Sequence, residues 1–136
     1  METLVKTSLK SIVEDIYAAF SRGDIQTILS HLSPNVEWNA MGESSKIPYG
    51  RRYIGVSDVP NFFSDLGNSF QMTGFTVDEM YQNGNVVTAY GVHKGIGIKS
   101  GVASETQWAM RWQFNDEGQV IRYNNFFDTG AIGKSF

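Results

Sequence analysis

The sequence predicts an α+β fold in which about three N-terminal helices cover a strongly bent antiparallel sheet, giving a cone with an interior. Three observations predict it. Apolar residues recur at helical spacing in the first half of the chain. After Phe75 the pattern turns to alternation at period two, broken by turn residues. The last third, Ser104 to Asp128, holds two alternating runs around Asn115-Asp116-Glu117-Gly118, with Trp108, Met110, Trp112 and Phe114 on one face of the first and Ile121, Tyr123, Asn125 and Phe127 on one face of the second. Helices grouped ahead of a meander imply separate helical and sheet layers. A sheet curled around a helix encloses space, and one open end serves as a ligand pocket.

The elements follow in order. Leu4 to Arg22 reads as a helix, with Leu4, Val5, Leu9, Ile12, Val13, Ile16, Tyr17 and Phe20 on its apolar face, and Gly23 just past its end. Asp24 is the expected cap of a second helix through about Leu32, stopped by Ser33-Pro34. Val36 to Trp38 starts a short strand, Met41 to Pro48 forms a loop at the pocket mouth, and Arg51 to Ile54 is a small strand. Ser57 is the expected cap of a third helix that carries Val59, Phe62, Phe63, Leu66 and Phe70 toward the core. Phe75 to Gln82 is a strand, Asn83-Gly84 a hairpin turn, and Asn85 to about Ile98 a long strand whose glycines 91, 95 and 97 suggest bulges or strong bending. Lys99 to Gly101 turns into the last hairpin, and the tail after Asp128 adds one helical turn.

Composition narrows the function classes. The 136 residues, 41% hydrophobic and 13% aromatic, fit a single domain spanning 1–136 and exclude a disordered chain. Zero cysteines remove disulfides, thiolate metal sites and cysteine nucleophiles, and suit a cytoplasmic location. A net charge of −3 without a basic cluster argues against nucleic acid. No apolar run reaches the ~18 residues needed for a membrane span, and Glu2 and Lys6 interrupt any signal-peptide pattern. Two separated histidines and no clustered carboxylates leave no metal site, and no cofactor motif is present.

The candidate site residues each carry two readings. His93, on a long strand, is a general base or acid with a pKa near working pH, or a hydrogen-bonded strand histidine. Asn125 is a ligand anchor, or is held by Tyr123 or a neighbouring strand. Tyr123 offers an apolar body with a hydroxyl. Trp38, Tyr53, Trp108 and Met110, with Phe127 on the final inner face, line an apolar cavity or fill the core. His31 suits a helix C-terminus, and Asp128 suits a cap on the turn that follows it. The opposite face, with Glu105, Gln107, Arg111 and Gln113 beside Tyr90 and Val92, suits charge pairs or a two-fold contact.

Tyr17-Ala18-Ala19-Phe20 before Gly23-Asp24, then Leu29, Leu32, Pro34, Val36, Trp38, Tyr49, Gly55, Phe62-Phe63, Glu105, Trp108 and Gly118-Gln119-Val120 leading to Asp128, carry a resemblance over about residues 12–132. In order and spacing the chain resembles SnoaL-like, ketosteroid-isomerase-related proteins of the nuclear transport factor 2-like superfamily. The resemblance implies a cystatin-like α+β roll that hosts isomerases, cyclases, epoxide hydrolases, dehydratases and pure binders. It also implies a homodimer through the outer sheet face. The tyrosine with which ketosteroid isomerases donate to an oxyanion falls on Ile16, with Tyr17 one residue off and pointing elsewhere. Their base aspartate falls near Trp38 and their protonated aspartate near Met110. The aspartate of SnoaL-type cyclases falls on Asn125, which takes no proton at neutral pH. With those positions lost, the expectation is a pocket for a small, largely apolar, oxygen-bearing molecule, with Tyr123, Asn125 and His93 as polar contacts. If the protein is an enzyme, the expected chemistry is proton transfer of isomerase, hydratase or cyclase type at His93 and Asn125. The alternative is a non-catalytic ligand-binding or dimeric interaction module.

Overall fold

The computed structural model describes residues 8–136; the sequence expectations at Glu2, Leu4, Val5 and Lys6 lie outside the described residues. Helix α1 spans Leu9–Ser21, started by the Ser8 hydroxyl, which accepts from Ser11 N. It buries Ile12, Val13, Ile16 and Ala19. Gly23 closes it at φ 70°, a backbone region open to glycine. Asp24 caps α2 by accepting from Thr27 N, and its pKa is lowered chiefly by the Thr27 side-chain hydrogen bond.

Helix α2 (Ile25–Ser30) is shorter than expected, and Pro34 does not stop it. Strand β1 (Leu32–Ala40) begins at once and carries Pro34 where its register against the sheet slips, between Leu32 and Glu37. A missing N–H is tolerated at such an irregularity. Strand β2 (Arg52–Ile54) leads to α3 (Val59–Ser69). The residue before α3 is Asp58, not Ser57, and its side chain makes no cap bond. It instead accepts from Arg51 Nη1 and Nη2, each at 3.2 Å, from Ile54 N and from Asn61 Nδ2. The Arg51 bonds hold its carboxyl down at about 2.

Four long strands complete the sheet: β3 (Phe70–Asn83), β4 (Val86–Gly97), β5 (Ala103–Phe114) and β6 (Val120–Phe127). Phe70, expected as the last apolar helical residue, is the first of β3. Asn83 pairs with Val86, so the tight turn is Gly84-Asn85, one residue later than expected. The bulges lie on β3, at Thr73 opposite Gly95 and at Asp78 opposite Gly91, and not on the glycine-bearing strand. Short α4 (Thr129–Gly133) follows Asp128, whose carboxylate accepts from Ala131 N as expected.

The six strands run in the order β2-β1-β6-β5-β4-β3, and only the β1–β6 pairing is parallel. The architecture is the expected α+β cone, with helices against the concave face of one strongly curved sheet. Alternate residues of β1, β4, β5 and β6 face inward, including Trp38, Ala89, Trp112 and Tyr123.

Candidate functional site

The inward side chains leave a cavity inside the cone with about 60 Å³ for the centres of water-sized molecules, room for about four waters or one slim ligand. Its walls are aromatic and aliphatic. Helix α1 contributes Ile16, Tyr17 and Phe20; α3 contributes Phe62, Phe63 and Leu66; β3 contributes Met72 and Phe75. The sheet contributes Trp38, His93, Met110, Trp112, Tyr123, Asn125 and Phe127, and the loop after β1 contributes Tyr49.

The structure thus brings Trp38, His93, Met110, Tyr123, Asn125 and Phe127 to one cavity and leaves Tyr53 and Trp108 out of its lining. Tyr53 is fully buried behind it, donating to Asp65 Oδ2 at 2.8 Å with Tyr49 O at 3.1 Å, and the Arg51 guanidinium lies 3.6 Å from its ring centre. Burial raises its pKa first, and Asp65 adds to the rise. Trp108 is stacked on Phe75, with centroids 5.0 Å apart and planes 11° from parallel, so the neighbouring ring occupies the face that a ligand would need.

Tyr17 overturns the expectation that it points elsewhere. Its hydroxyl accepts from Trp112 Nε1 at 3.0 Å and donates to Met110 Sδ at 3.3 Å. Its ring centre lies 5.7 Å from that of Trp108 and 5.8 Å from that of Phe75. Burial raises its pKa, against the smaller lowering by the Trp112 bond, so the phenol stays protonated. Beside it, Trp38 and Tyr123 stack at 3.9 Å, and Trp112 lies 4.5 Å from Tyr123. Burial likewise raises Tyr49 and Tyr123.

His93 is 5% exposed, with the rings of Phe127 and Phe70 at 6.0 and 6.2 Å. Burial lowers its pKa from 6.5 to about 4. The imidazole is therefore neutral at pH 7, which corrects the expectation of titration near working pH. Asn125, 6% exposed, sits between Ala40 on β1 and Met110 on β5. Its Oδ1, together with Trp38 Nε1 and His93 Nδ1, is buried without a hydrogen-bond partner. Trp108 Nε1, outside the cavity, shares that condition. Such groups are rare in folded proteins. Tyr123 does not hold Asn125, so the structural reading of that amide loses its proposed partner.

Among the described residues no group of three or more His, Cys, Asp or Glu side chains is placed to hold a metal ion. Among the described residues no carboxylate, lysine or arginine lines the cavity. The arrangement can hydrogen-bond and orient a neutral polar group inside an apolar sleeve. His31, outside the cavity, pairs with Asp15 at 2.7 Å.

A strongly curved, mostly antiparallel sheet wrapped on helices around an aromatic cavity is a fold of the nuclear transport factor 2-like class. A family model for the SnoaL-like domain matches residues 13–123, and the chain belongs to that family. It is similar in structure to an NTF2-like protein of unknown function from Burkholderia pseudomallei, with a TM-score of 0.86, 21% identity, and 96% of this chain and 98% of that one covered. It is also similar to TerC co-crystallised with polyporic acid, with a TM-score of 0.83, 23% identity and coverage of 93% and 96%. A candidate polyketide cyclase from Xanthomonas campestris follows, with a TM-score of 0.74, 21% identity and coverage of 93% and 95%. No curated protein matches the chain in sequence.

Proposed function

We propose that this SnoaL-like protein binds a small, largely apolar molecule bearing an oxygen function inside the cone. One observation carries the reading: three buried polar atoms without partners, on Trp38, His93 and Asn125, belong to residues lining an otherwise apolar cavity. A ligand with a hydroxyl or carbonyl satisfies such groups, and burying them unpaired costs roughly 1–3 kcal/mol each. The similar fold of TerC, a protein co-crystallised with polyporic acid, supports the reading.

Binding is favoured over proton abstraction. A base that is protonated only below about pH 4 is weak at neutrality, and Asn125 takes no proton. His93 serves as hydrogen-bond donor and acceptor, Asn125 and Trp38 orient the polar group, and Met110, Tyr123 and Phe127 hold the apolar body. Turnover in this pocket is confined to steps that neutral donors and acceptors promote.

The same proposal includes a homodimer through the outer sheet face, where Phe126 is 44% and Tyr90 37% exposed beside Ala109 and Gln107. Native mass spectrometry of protein purified without denaturation tests both parts. The expected result is a dimer carrying extra mass that Asn125→Leu loses. A protein without extra mass that also shows no thermal shift with small undissociated phenols would sink the pocket reading. A monomer would sink the interface.

A further inference from the structure

The proposed pocket reading leaves open which charge state of ligand the cavity accepts, and the lining decides it. Among the described residues, the titratable side chains that face the cavity are Tyr17 from α1, Tyr49 from the loop after β1, His93 from β4 and Tyr123 from β6. Burial keeps each of them in its neutral form at pH 7. Helix α3 and strands β1, β3 and β5 present only uncharged side chains. An anion entering this space leaves water and gains no cation, which is a large electrostatic cost in an apolar interior.

The unpartnered atoms point the same way. Asn125 Oδ1 is an acceptor and needs an O–H or N–H from the ligand, while Trp38 Nε1 is a donor and needs an acceptor. A hydroxyl supplies both. Its conjugate base supplies only the acceptor and leaves the Asn125 oxygen unpaired.

We propose that the cavity takes neutral, hydroxyl-bearing molecules (alcohols, enols and undissociated phenols) and rejects their conjugate bases, with Asn125 Oδ1 receiving the ligand hydroxyl proton in a hydrogen bond. This rests on the pocket reading above, and the experiment separates the two.

The probe is 4-nitrophenol, a phenol that ionises near neutral pH and whose two forms absorb differently. Its affinity is measured from below its pKa to two units above, beside 4-nitrotoluene, which replaces the hydroxyl by a methyl group. Two units above the pKa only about one molecule in a hundred is neutral, so the apparent affinity is expected to fall about 100-fold. The bound chromophore should absorb as the undissociated phenol. Below the pKa the phenol should bind more tightly than 4-nitrotoluene, and Asn125→Leu should erase that preference. Affinity that stays flat or rises through the phenol's ionisation, or a bound spectrum of the phenolate, would overturn the inference while leaving the pocket standing. Failure of both probes to bind at any pH would overturn the pocket reading and this inference with it.

Discussion

Strands β4 and β5 lie side by side and face the same interior with opposite endowments. On β4 the inward residues are Val87, Ala89, Gly91, His93, Gly95 and Gly97; on β5 they include Trp108, Met110, Trp112 and Phe114. The register sets small against large rung by rung, with Val87 opposite Trp112, Ala89 opposite Met110 and Gly91 opposite Trp108. A Cβ on Gly91 would lie 2.5 Å from the Trp108 ring and 1.8 Å from Thr76 O. One on Gly95 would lie 2.1 Å from the Phe70 ring. The rings of β3 and β5 therefore lean over a strand emptied to receive them. The pairing changes at His93 opposite Thr106, where two buried polar residues meet. The difference teaches that this interior is shaped by where side chains are missing as much as by where they are large.

Emptying the filled strand should break the comparison most. Trp112→Ala removes a fully buried ring and the donor to Tyr17, and a loss of about 4 kcal/mol is expected in urea unfolding. Filling the empty strand comes next. Gly91→Ala should cost about 3 kcal/mol, because the atom it meets first is backbone, and a melting temperature equal to that of the parent protein would show that the strands are not matched by size.

The polar rung responds to pH. His93 binds its proton at about 4 in the folded protein and near 6.5 when unfolded, so between those values the unfolded chain holds more protons. Stability from this group is present above pH 6.5 and is lost as pH falls toward 4, by about 2 kcal/mol between pH 7 and pH 5. His93→Gln should flatten that part of the stability-versus-pH curve; a slope that persists would assign it to other groups. The smallest effect belongs to the outer faces of the same strands. The exposed Lys94–Glu105 pair, 3.9 Å apart, should lose less than about 1 kcal/mol in Glu105→Gln. A larger loss that depends on protein concentration would mark a subunit contact.

The inward parity of Tyr123, Asn125 and Phe127 was legible in the alternation of the last hairpin, as were the caps at Asp24 and Asp128. Parity does not reveal which inward residues border empty space. Trp108 and Met110 share a face, yet Gly91 lets Trp108 settle against Phe75 while Met110 stays at the cavity wall. Counting back from Gly23-Asp24 turns Tyr17 elsewhere, but the sheet curls around α1, so side chains on more than one stripe of that helix meet the interior. Tyr49 lies in an irregular loop with no period to read. The pKa of His93 depends on burial among Phe70 and Phe127, which come from strands distant in sequence. The local preference of Pro34 is to stop a helix, but β1 is already under way before it.

The parallel pairing of β1 with β6 bears on the order in which the chain can fold. Strands β3 to β6 succeed one another through short connections and can zip as a meander, whereas Leu32 must find Val120 and Trp38 must find Tyr123. Closing so long a loop is entropically slow. During synthesis the early helices and β1 must therefore wait, with apolar faces uncovered, until nearly the whole chain has emerged. The stacked Trp38–Tyr123 pair belongs among the last contacts made, and the interior that would hold a ligand closes only then.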